Sequence, residues 1–339
     1  MNSKALRIVW LLVGLVLLGG VIWWAGPRAA LAALAQSTEH PWLLAAAVGL
    51  FAAAMGVFVL KWHWMSRVAG AGLNLRRSLR LFGTLMLVGT FTPGRAGELA
   101  VPLLMRGGGR LTGVALINRL LESAATLCAG LLAATLLLSD DPRAAGFWQV
   151  GIVLAAFVAI LVVLSRRRYS AAALSLARAC LRPLAGLRPV AWLLAKEDQC
   201  AGGLVHFYEA NERLLRPGPI VAFAAMMGLI WLLMVWGNLL LAQATVPEGG
   251  KVTFLVMTAV VAVSALAMLV SPIPGGLGLS EFTAGALLAL LGFRPEAFVP
   301  YLVLVRVVFY AVVVVLYVVS RLAGADLPAP AAATAPTKS

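Results

Sequence analysis

The chain of 339 residues is 62% hydrophobic and only 12% charged, and its mean hydropathy is +0.96. One soluble core of this length cannot bury so much apolar surface, so the composition excludes a soluble enzyme and predicts a chain solvated by lipid. The formal net charge is +14, but the basic residues are not interleaved with aromatic residues as in a soluble nucleic-acid-binding domain. We therefore expect no nucleic-acid partner.

Membrane-spanning helices are the predicted elements, because apolar runs of about 20 residues recur and a helix of that length crosses a hydrocarbon core of roughly 30 Å. The first run, 8–24, is longer than the apolar part of a typical secretory signal, so we expect a retained helix. The second run covers 42–61. We place the basic residues from Lys61 to Arg80 in a cytoplasmic loop after it.

The next apolar pieces, 81–92 and 99–105, are each too short to cross a membrane alone. They are separated by a break with the sequence Pro93-Gly94-Arg95-Ala96-Gly97-Glu98. Spans are then predicted at 111–138 and 146–164. The basic stretch 166–216 is typical of amphipathic helices on the membrane surface.

The C-terminal part predicts spans at 220–246, 252–270 and 298–320, with a second break at 271–281 followed by a short apolar run at 282–293. The predicted fold class is all-α: a polytopic membrane bundle with about six full spans plus two Pro/Gly-broken re-entrant hairpins. We expect one membrane domain over 1–324 and a disordered Ala/Pro-rich tail over 325–339.

Orientation follows from the distribution of lysine and arginine. With a cytoplasmic N-terminus, 20 of the 27 basic residues lie in connections on the cytoplasmic side and four lie outside. The positive-inside rule favours this threading, which places both termini in the cytoplasm of a bacterial inner-membrane protein.

Six ionisable residues remain at membrane depth, three basic and three acidic. An unpaired charge costs about 2.5–3.5 kcal/mol there on insertion scales, so we expect these side chains to face the bundle interior and to pair. Arg119 and Glu122 share a helix face because they are three residues apart. The predicted substrate-binding residues are Arg95, Glu98, Arg119, Glu122, Glu281 and Arg306.

The two breaks are predicted to line this site, because irregular backbone at membrane depth is tolerated only where protein buries it or where it borders a wet cavity. A helix that begins after a break directs amide donors at an anionic group. Each break is followed by a glutamate and then by an arginine, and the chain reaches the two breaks from opposite sides of the membrane. This pattern indicates an inverted repeat. The break residues are Pro93, Gly94, Gly97, Pro274, Gly275, Gly276 and Gly278.

The alternative is that these charges and breaks have only a structural role and stabilise the packing of the bundle, since Pro and Gly are common in membrane helices. The three cysteines and three histidines are scattered without metal-ligand spacing. We therefore predict no metal or other cofactor, and we assign no catalytic residue.

The stretch 89–122, especially Thr92 to Glu98 with Arg119 and Glu122, resembles the lysylphosphatidylglycerol synthase transmembrane family, described as flippase-like. The segment 272–281 with Arg306 carries the same resemblance, which extends over about 6–320. One departure is Phe91, where many relatives are expected to have asparagine. The resemblance implies a membrane module that translocates or handles phospholipid or polyprenyl-linked lipid. The stretch 166–216 is too short for the soluble aminoacyl-transferase domain, so we expect no synthase activity.

The leading hypothesis is a flippase-like transporter that binds the anionic headgroup of a phospholipid or polyprenyl-phosphate-linked lipid in an intramembrane polar cavity. A second hypothesis is an intramembrane enzyme of lipid-linked sugar or aminoacyl-lipid metabolism, with Glu98 or Glu281 as general base. A third is an accessory subunit for a synthase encoded separately. Whether the chain forms a homodimer is left open.

Overall fold

The computed structural model describes residues 39–90, 92, 97–98, 108–137, 197–245, 252–271, 273 and 275–323, with isolated positions at 35, 152, 156, 159, 175 and 179. All regular secondary structure in these ranges is α-helical, which confirms the all-α class. The described helices are α1 Pro41–Val68, α2 Leu75–Thr90, α3 Gly108–Leu137, α4 Glu197–Leu214, α5 Pro217–Thr245, α6 Phe254–Val270, α7 Leu279–Leu290 and α8 Pro295–Leu322.

Four of these helices, α1, α3, α5 and α8, are long and apolar enough to cross a membrane. The helices α6 and α7 are apolar but shorter. The predicted span 8–24, the apolar piece 99–105, most of the span 146–164 and the tail 325–339 lie outside the described residues. The chain is therefore a multi-pass membrane protein, while the total of about six spans stays a prediction.

Local sequence explains where several helices begin. Pro217 and Pro295 occupy first helical positions, where the missing amide hydrogen costs nothing. The side chain of Asn74 accepts a hydrogen bond from the Arg77 amide at 2.9 Å, and Thr253 caps α6 in the same way. Each cap satisfies an amide that the first helical turn leaves without a carbonyl partner.

The bundle has two hydrophobic clusters, one toward each end of α1. The C-terminal half of α1 packs with α2, the first half of α3 and the start of α5. The N-terminal half of α1 packs with the end of α5 and with α6, α7 and α8. Trp231, Met234 and Val312 contact both clusters, so the clusters meet near the middle of the bundle.

The helices that lead into the two breaks approach from opposite ends of α1. Leu81 near the start of α2 belongs to the same cluster as Met65 near the end of α1. Val256 near the start of α6 belongs to the same cluster as Phe51 in the first half of α1. This arrangement agrees with the opposed approach expected for an inverted repeat, and the re-entrant hairpins themselves stay a prediction.

The basic end of the bundle gathers several chain segments. The C-terminal end of α8 crosses α2 closely, since a Cβ on Gly83 would lie 2.7 Å from Oγ of Ser320. Helix α4 packs against the start of α3, where Arg110 donates to the carbonyl of Gly70 at 3.0 Å. The end of α8, the start of α3 and the turn between α1 and α2 therefore share one side. The placement of α4 on the membrane surface stays a prediction.

We expect Gly83→Val to destabilise the protein, because Ser320 is fully buried and the added side chain forces α2 and α8 apart. Overpacking of this kind costs about 1–3 kcal/mol. The matched control is Gly228→Val in α5, where nothing lies within 4 Å of the added Cβ. The measurement is the temperature at which half of the detergent-solubilised protein leaves the monodisperse fraction. Equal values for the two variants would contradict the close crossing.

Candidate functional site

Three glycines in the left-handed region shape the second break. Gly275, Gly276 and Gly278 have φ values of 64°, 64° and 78°, which residues with side chains rarely adopt. The amide of Gly278 donates to Oε2 of Glu281 at 2.8 Å. The carboxylate therefore lies in the first turn of α7, where the helix dipole favours negative charge.

Arg306 of α8 holds this break in place. Its Nε donates to Oε1 of Glu281, its Nη2 donates to Oγ of Ser280, and its Nη1 donates to the carbonyl of Gly275 at 3.3 Å. The side chains of Glu281 and Arg306 are only 2% and 12% exposed. Because one planar guanidinium reaches three fixed acceptors, Arg306 both compensates a buried carboxylate and satisfies backbone of the break.

The described flanks of the two breaks lie against each other. Thr90 is the last residue of α2 and is buried, as is Gly275 of the second break. A Cβ on Gly275 would lie 2.9 Å from the carbonyl oxygen of Thr90. Backbone from one break thus packs directly on backbone at the edge of the other, and a side chain at position 275 is excluded.

At the first break, Gly97 and Glu98 are helical. The amide of Gly97 donates to Oγ1 of Thr92 at 2.9 Å. Glu98 folds back onto α2, where a Cβ on Gly89 would lie 2.9 Å from its Cγ and Oε1. The small residue at position 89 therefore makes room for a buried carboxylate. The predicted break residues Pro93, Gly94 and Pro274 and the predicted ligand Arg95 lie outside the described residues.

A cavity of about 150 Å³ borders the first break. Three predicted site residues line it, namely Glu98, Arg119 and Glu122. Much of the remaining wall is aromatic or methionine side chain, including Phe58, Trp62, Phe82, Met227, Trp231 and Met234.

Glu122 lies between two cations in this first cavity. Its Oε1 is 2.5 Å from Nζ of Lys61 on α1, and its Oε2 is 3.9 Å from Nη1 of Arg119 one turn earlier on α3. The expected pairing of Arg119 with Glu122 is thus present, but the closer partner of the carboxylate is Lys61. Two positive charges share one carboxylate at this point.

The predicted basic loop from Lys61 to Arg80 is wrong, because Lys61 and Arg67 lie in α1 and the remaining arginines, Arg76, Arg77 and Arg80, lie in α2. Lys61 is the residue for which this matters most. It belongs to α1, lies about 10 Å from the end of that helix, and is 0% exposed. Its ammonium group lies 4.6 Å and 4.9 Å from the ring centroids of Phe58 and Phe223. A fully buried ammonium requires an anionic or aromatic environment. Lys61 reaches that environment because α1 continues past it and holds it inside the bundle.

Asn118 brings a neutral acceptor to the first cavity. Its side chain is only 3% exposed, and its Oδ1 has no hydrogen-bond donor among the described residues. The hydroxyl groups of Ser123 and Thr126 each donate to a carbonyl of their own helix at 2.8 Å, which leaves their oxygens as acceptors. The cavity therefore offers neutral acceptors beside its charged groups.

A second cavity lies deeper toward the N-terminal half of α1. It has a volume of about 130 Å³, and Glu281 and Arg306 line it together with Asn238 and Tyr301. The phenol of Tyr301 donates to Oδ1 of Asn238 at 2.7 Å, so this polar pair is internally satisfied. The second cavity thus combines a clamped arginine with a mostly apolar wall.

The two cavities are stacked along α1 and α5. The first is lined by Trp62 of α1 and the second by Phe51, three turns closer to the start of the same helix. They share five wall residues at their common boundary: Met234, Val261, Ala265, Met268 and Phe309. Five of the six predicted ligands therefore lie in one connected region, divided between two neighbouring cavities.

Lys61 and Asn118 were not among the predicted site residues. A signal for Lys61 was available, since no glycine or proline interrupts the chain between Gly56 and Gly70 and the apolar pattern continues through Trp62 and Met65. Asn118 directly precedes Arg119 and lies one turn before Glu122. The binding role of the predicted ligands stays a prediction.

In a comparison with known proteins, no curated protein and no solved structure matches the chain. Among the described residues, no group of three or more His, Cys, Asp or Glu could hold a metal ion.

A family model does match, and it covers nearly the whole bundle described above. The matched region, 11–316, includes the first break, the Lys61–Glu122–Arg119 group, the second break and Arg306. Apart from Lys61, these residues carry the resemblance found in the sequence. The chain belongs to the family described as the lysylphosphatidylglycerol synthase TM region, and this membership indicates a membrane lipid-related role.

Proposed function

We propose that this protein binds the anionic headgroup of a membrane lipid in the first cavity and passes it through the second cavity toward the other side of the membrane, as a flippase-like transporter. The observation that carries the proposal is the pair of stacked cavities, each lined by an arginine and a glutamate that are at most 18% exposed, that share a wall inside an apolar bundle. The lipid-related family supports the substrate class.

Charge in the first cavity favours an anionic ligand. Lys61 and Arg119 both lie beside Glu122, and Nη1 of Arg119 is 3.9 Å from its carboxylate. An arginine presents several donors in a planar fork that fits a phosphate. Because Arg119 lines the cavity, a headgroup phosphate that enters the cavity can reach its guanidinium.

The cavity wall favours a lipid over a small soluble anion. Flexible methionines and flat aromatic rings surround the charged group, and such surfaces accept acyl or isoprenoid chains of varied shape. Because the helices around the cavity are apolar and span-like, the hydrocarbon tail of a bound lipid can remain outside in the bilayer.

Arg306 has a different part in this proposal. Its three nitrogens already donate to Glu281, Ser280 and Gly275. It supplies positive potential to the second cavity while it keeps the break closed. Arg119 is then the principal headgroup ligand, and Arg306 is mainly a clamp.

Replacement of Arg119 by glutamine should weaken binding of short-chain phosphatidylglycerol roughly 10–100-fold, the loss expected for a charge-assisted hydrogen bond. The folded yield should be retained, because Lys61 still compensates Glu122. Arg76→Gln, at an exposed position on α2, is the matched control. Quenching of tryptophan fluorescence by the lipid reports binding, since Trp62 and Trp231 line the cavity. Unchanged affinity in Arg119→Gln would remove Arg119 from the site.

For Arg306→Gln we expect loss of folded protein rather than a simple loss of affinity. The change leaves Glu281 uncompensated at 2% exposure, and breaking a buried pair costs about 3–5 kcal/mol. The double variant Arg306→Gln/Glu281→Gln should recover part of the monodisperse yield, since it removes the isolated charge. A fully folded single variant would contradict the clamp.

Ala265→Phe should block leaflet transfer while leaving headgroup binding intact. Ala265 lies on the wall common to both cavities, so a phenyl ring there narrows the passage without touching the charged groups. Ala225→Phe, on an exposed face of α5, introduces the same ring outside the cavities. The assay follows a fluorescent lipid in proteoliposomes by dithionite quenching. Normal transfer in Ala265→Phe would exclude a route through this wall.

A further inference from the structure

We propose that Glu122 is a proton-coupling residue, which takes up one proton when an anionic headgroup enters the first cavity and releases it when the headgroup leaves. The inference rests on the proposed function and concerns the same cavity. It assigns a source of energy to lipid movement, because a headgroup that carries a proton with it responds to a proton gradient across the membrane.

The geometry places Glu122 where a proton and a ligand affect each other. One carboxylate oxygen is 2.5 Å from the ammonium of Lys61, and the other is 3.9 Å from the guanidinium of Arg119. These are the cations that a headgroup phosphate needs. An ionised Glu122 and an anionic headgroup therefore compete for the same positive charges.

Among the described residues, the charged groups that face Glu122 come from three places. Lys61 approaches from α1, Arg119 lies one turn earlier on α3, and Glu98 lies at the end of the first break. The described walls from α2, α5, α6 and α8 contribute apolar side chains at this cavity, with no titratable group. Glu122 contacts both Lys61 and Arg119, so we assign the proton to it, and Glu98 is the alternative that the experiment below tests.

Protonation resolves the competition. A carboxylate and a phosphate on the same two cations repel each other strongly in a water-poor cavity. When Glu122 takes a proton, its charge is lost, the phosphate replaces it as the counterion, and the carboxylic acid can donate a hydrogen bond to the phosphate. No other bond is made or broken: one proton comes from water and returns to water when the headgroup leaves.

The burial of Lys61 makes the exchange tight. Its side chain is 0% exposed, and a negative charge beside its ammonium offsets the cost of burial that the rings of Phe58 and Phe223 offset only in part. In the ligand-free protein Glu122 provides that charge, and in the bound protein the headgroup provides it. Two states are therefore disfavoured: a protonated Glu122 without a headgroup and an ionised Glu122 with one. Because both are disfavoured, binding of the headgroup is coupled to binding of the proton.

The direction of the pH dependence follows from linkage. Because the bound state holds more protons than the free state, headgroup affinity must fall as pH rises through the range in which free Glu122 is ionised. One coupled proton limits the slope to tenfold in affinity per pH unit. The reciprocal effect is that the headgroup strengthens proton binding by the same factor.

The experiment is isothermal titration calorimetry of the full chain in phosphatidylcholine nanodiscs with short-chain phosphatidylglycerol, between pH 5.5 and 8. Buffers that differ in ionisation enthalpy give the number of protons taken up per lipid. We expect about one for the unaltered chain and none for Glu122→Gln, whose affinity should be independent of pH. Glu212→Gln, an exposed carboxylate on α4, is the matched control and should behave as the unaltered chain does.

The outcomes separate this inference from the proposed function. If the lipid binds at no pH, headgroup binding itself is wrong. If the lipid binds without proton uptake, or if uptake disappears in Glu98→Gln and persists in Glu122→Gln, only the assignment to Glu122 is overturned. Should Glu122→Gln not fold, Lys61→Met/Glu122→Gln removes the isolated cation, and this double variant must also bind the lipid without proton uptake through Arg119.

Discussion

Polar groups inside a lipid-solvated bundle must find their partners within the protein, and the rest of this structure depends on that constraint. At the second break the constraint is met by Arg306, which donates to Glu281, Ser280 and Gly275 from a neighbouring helix. Backbone that would otherwise be excluded from the hydrocarbon layer is thereby held at the bundle centre. Once the break is stable there, α7 can begin inside the protein and the flank of the first break can pack against Gly275.

The same constraint gives the first cavity its character. Lys61 is buried without access to solvent, so the carboxylate of Glu122 must stay beside it, and Arg119 then shares that carboxylate at a longer distance. An arginine held in this way lines the cavity and remains compensated by a carboxylate when no ligand is bound. The two arginines that the sequence treated as equivalent are therefore different. Arg306 donates to three acceptors of the second break, whereas Arg119 lines the first cavity.

Much of the architecture follows from the sequence because its causes are local. The length of each apolar run fixes the helices α1, α3, α5 and α8 to within a few residues at most ends, and Pro217, Pro295 and the caps Asn74 and Thr253 mark starts that neighbouring residues alone determine. The constellation of Glu98, Arg119, Glu122, Glu281 and Arg306 was also readable, since charge at membrane depth is too costly to be incidental. The family match over 11–316 rests on the same local motifs.

What the sequence alone determined is that this is an all-α membrane protein with two glycine-rich breaks and a set of charges that must pair inside. Tertiary structure decided which charges pair and where each cavity lies, because those facts depend on side chains brought together from helices far apart in the chain. Lys61 shows the difference: by sequence it begins a basic loop, but α1 continues past it and packs it against Glu122, 61 residues away. Its charge is tolerated only through that distant contact, and no pattern of neighbouring residues encodes the partner.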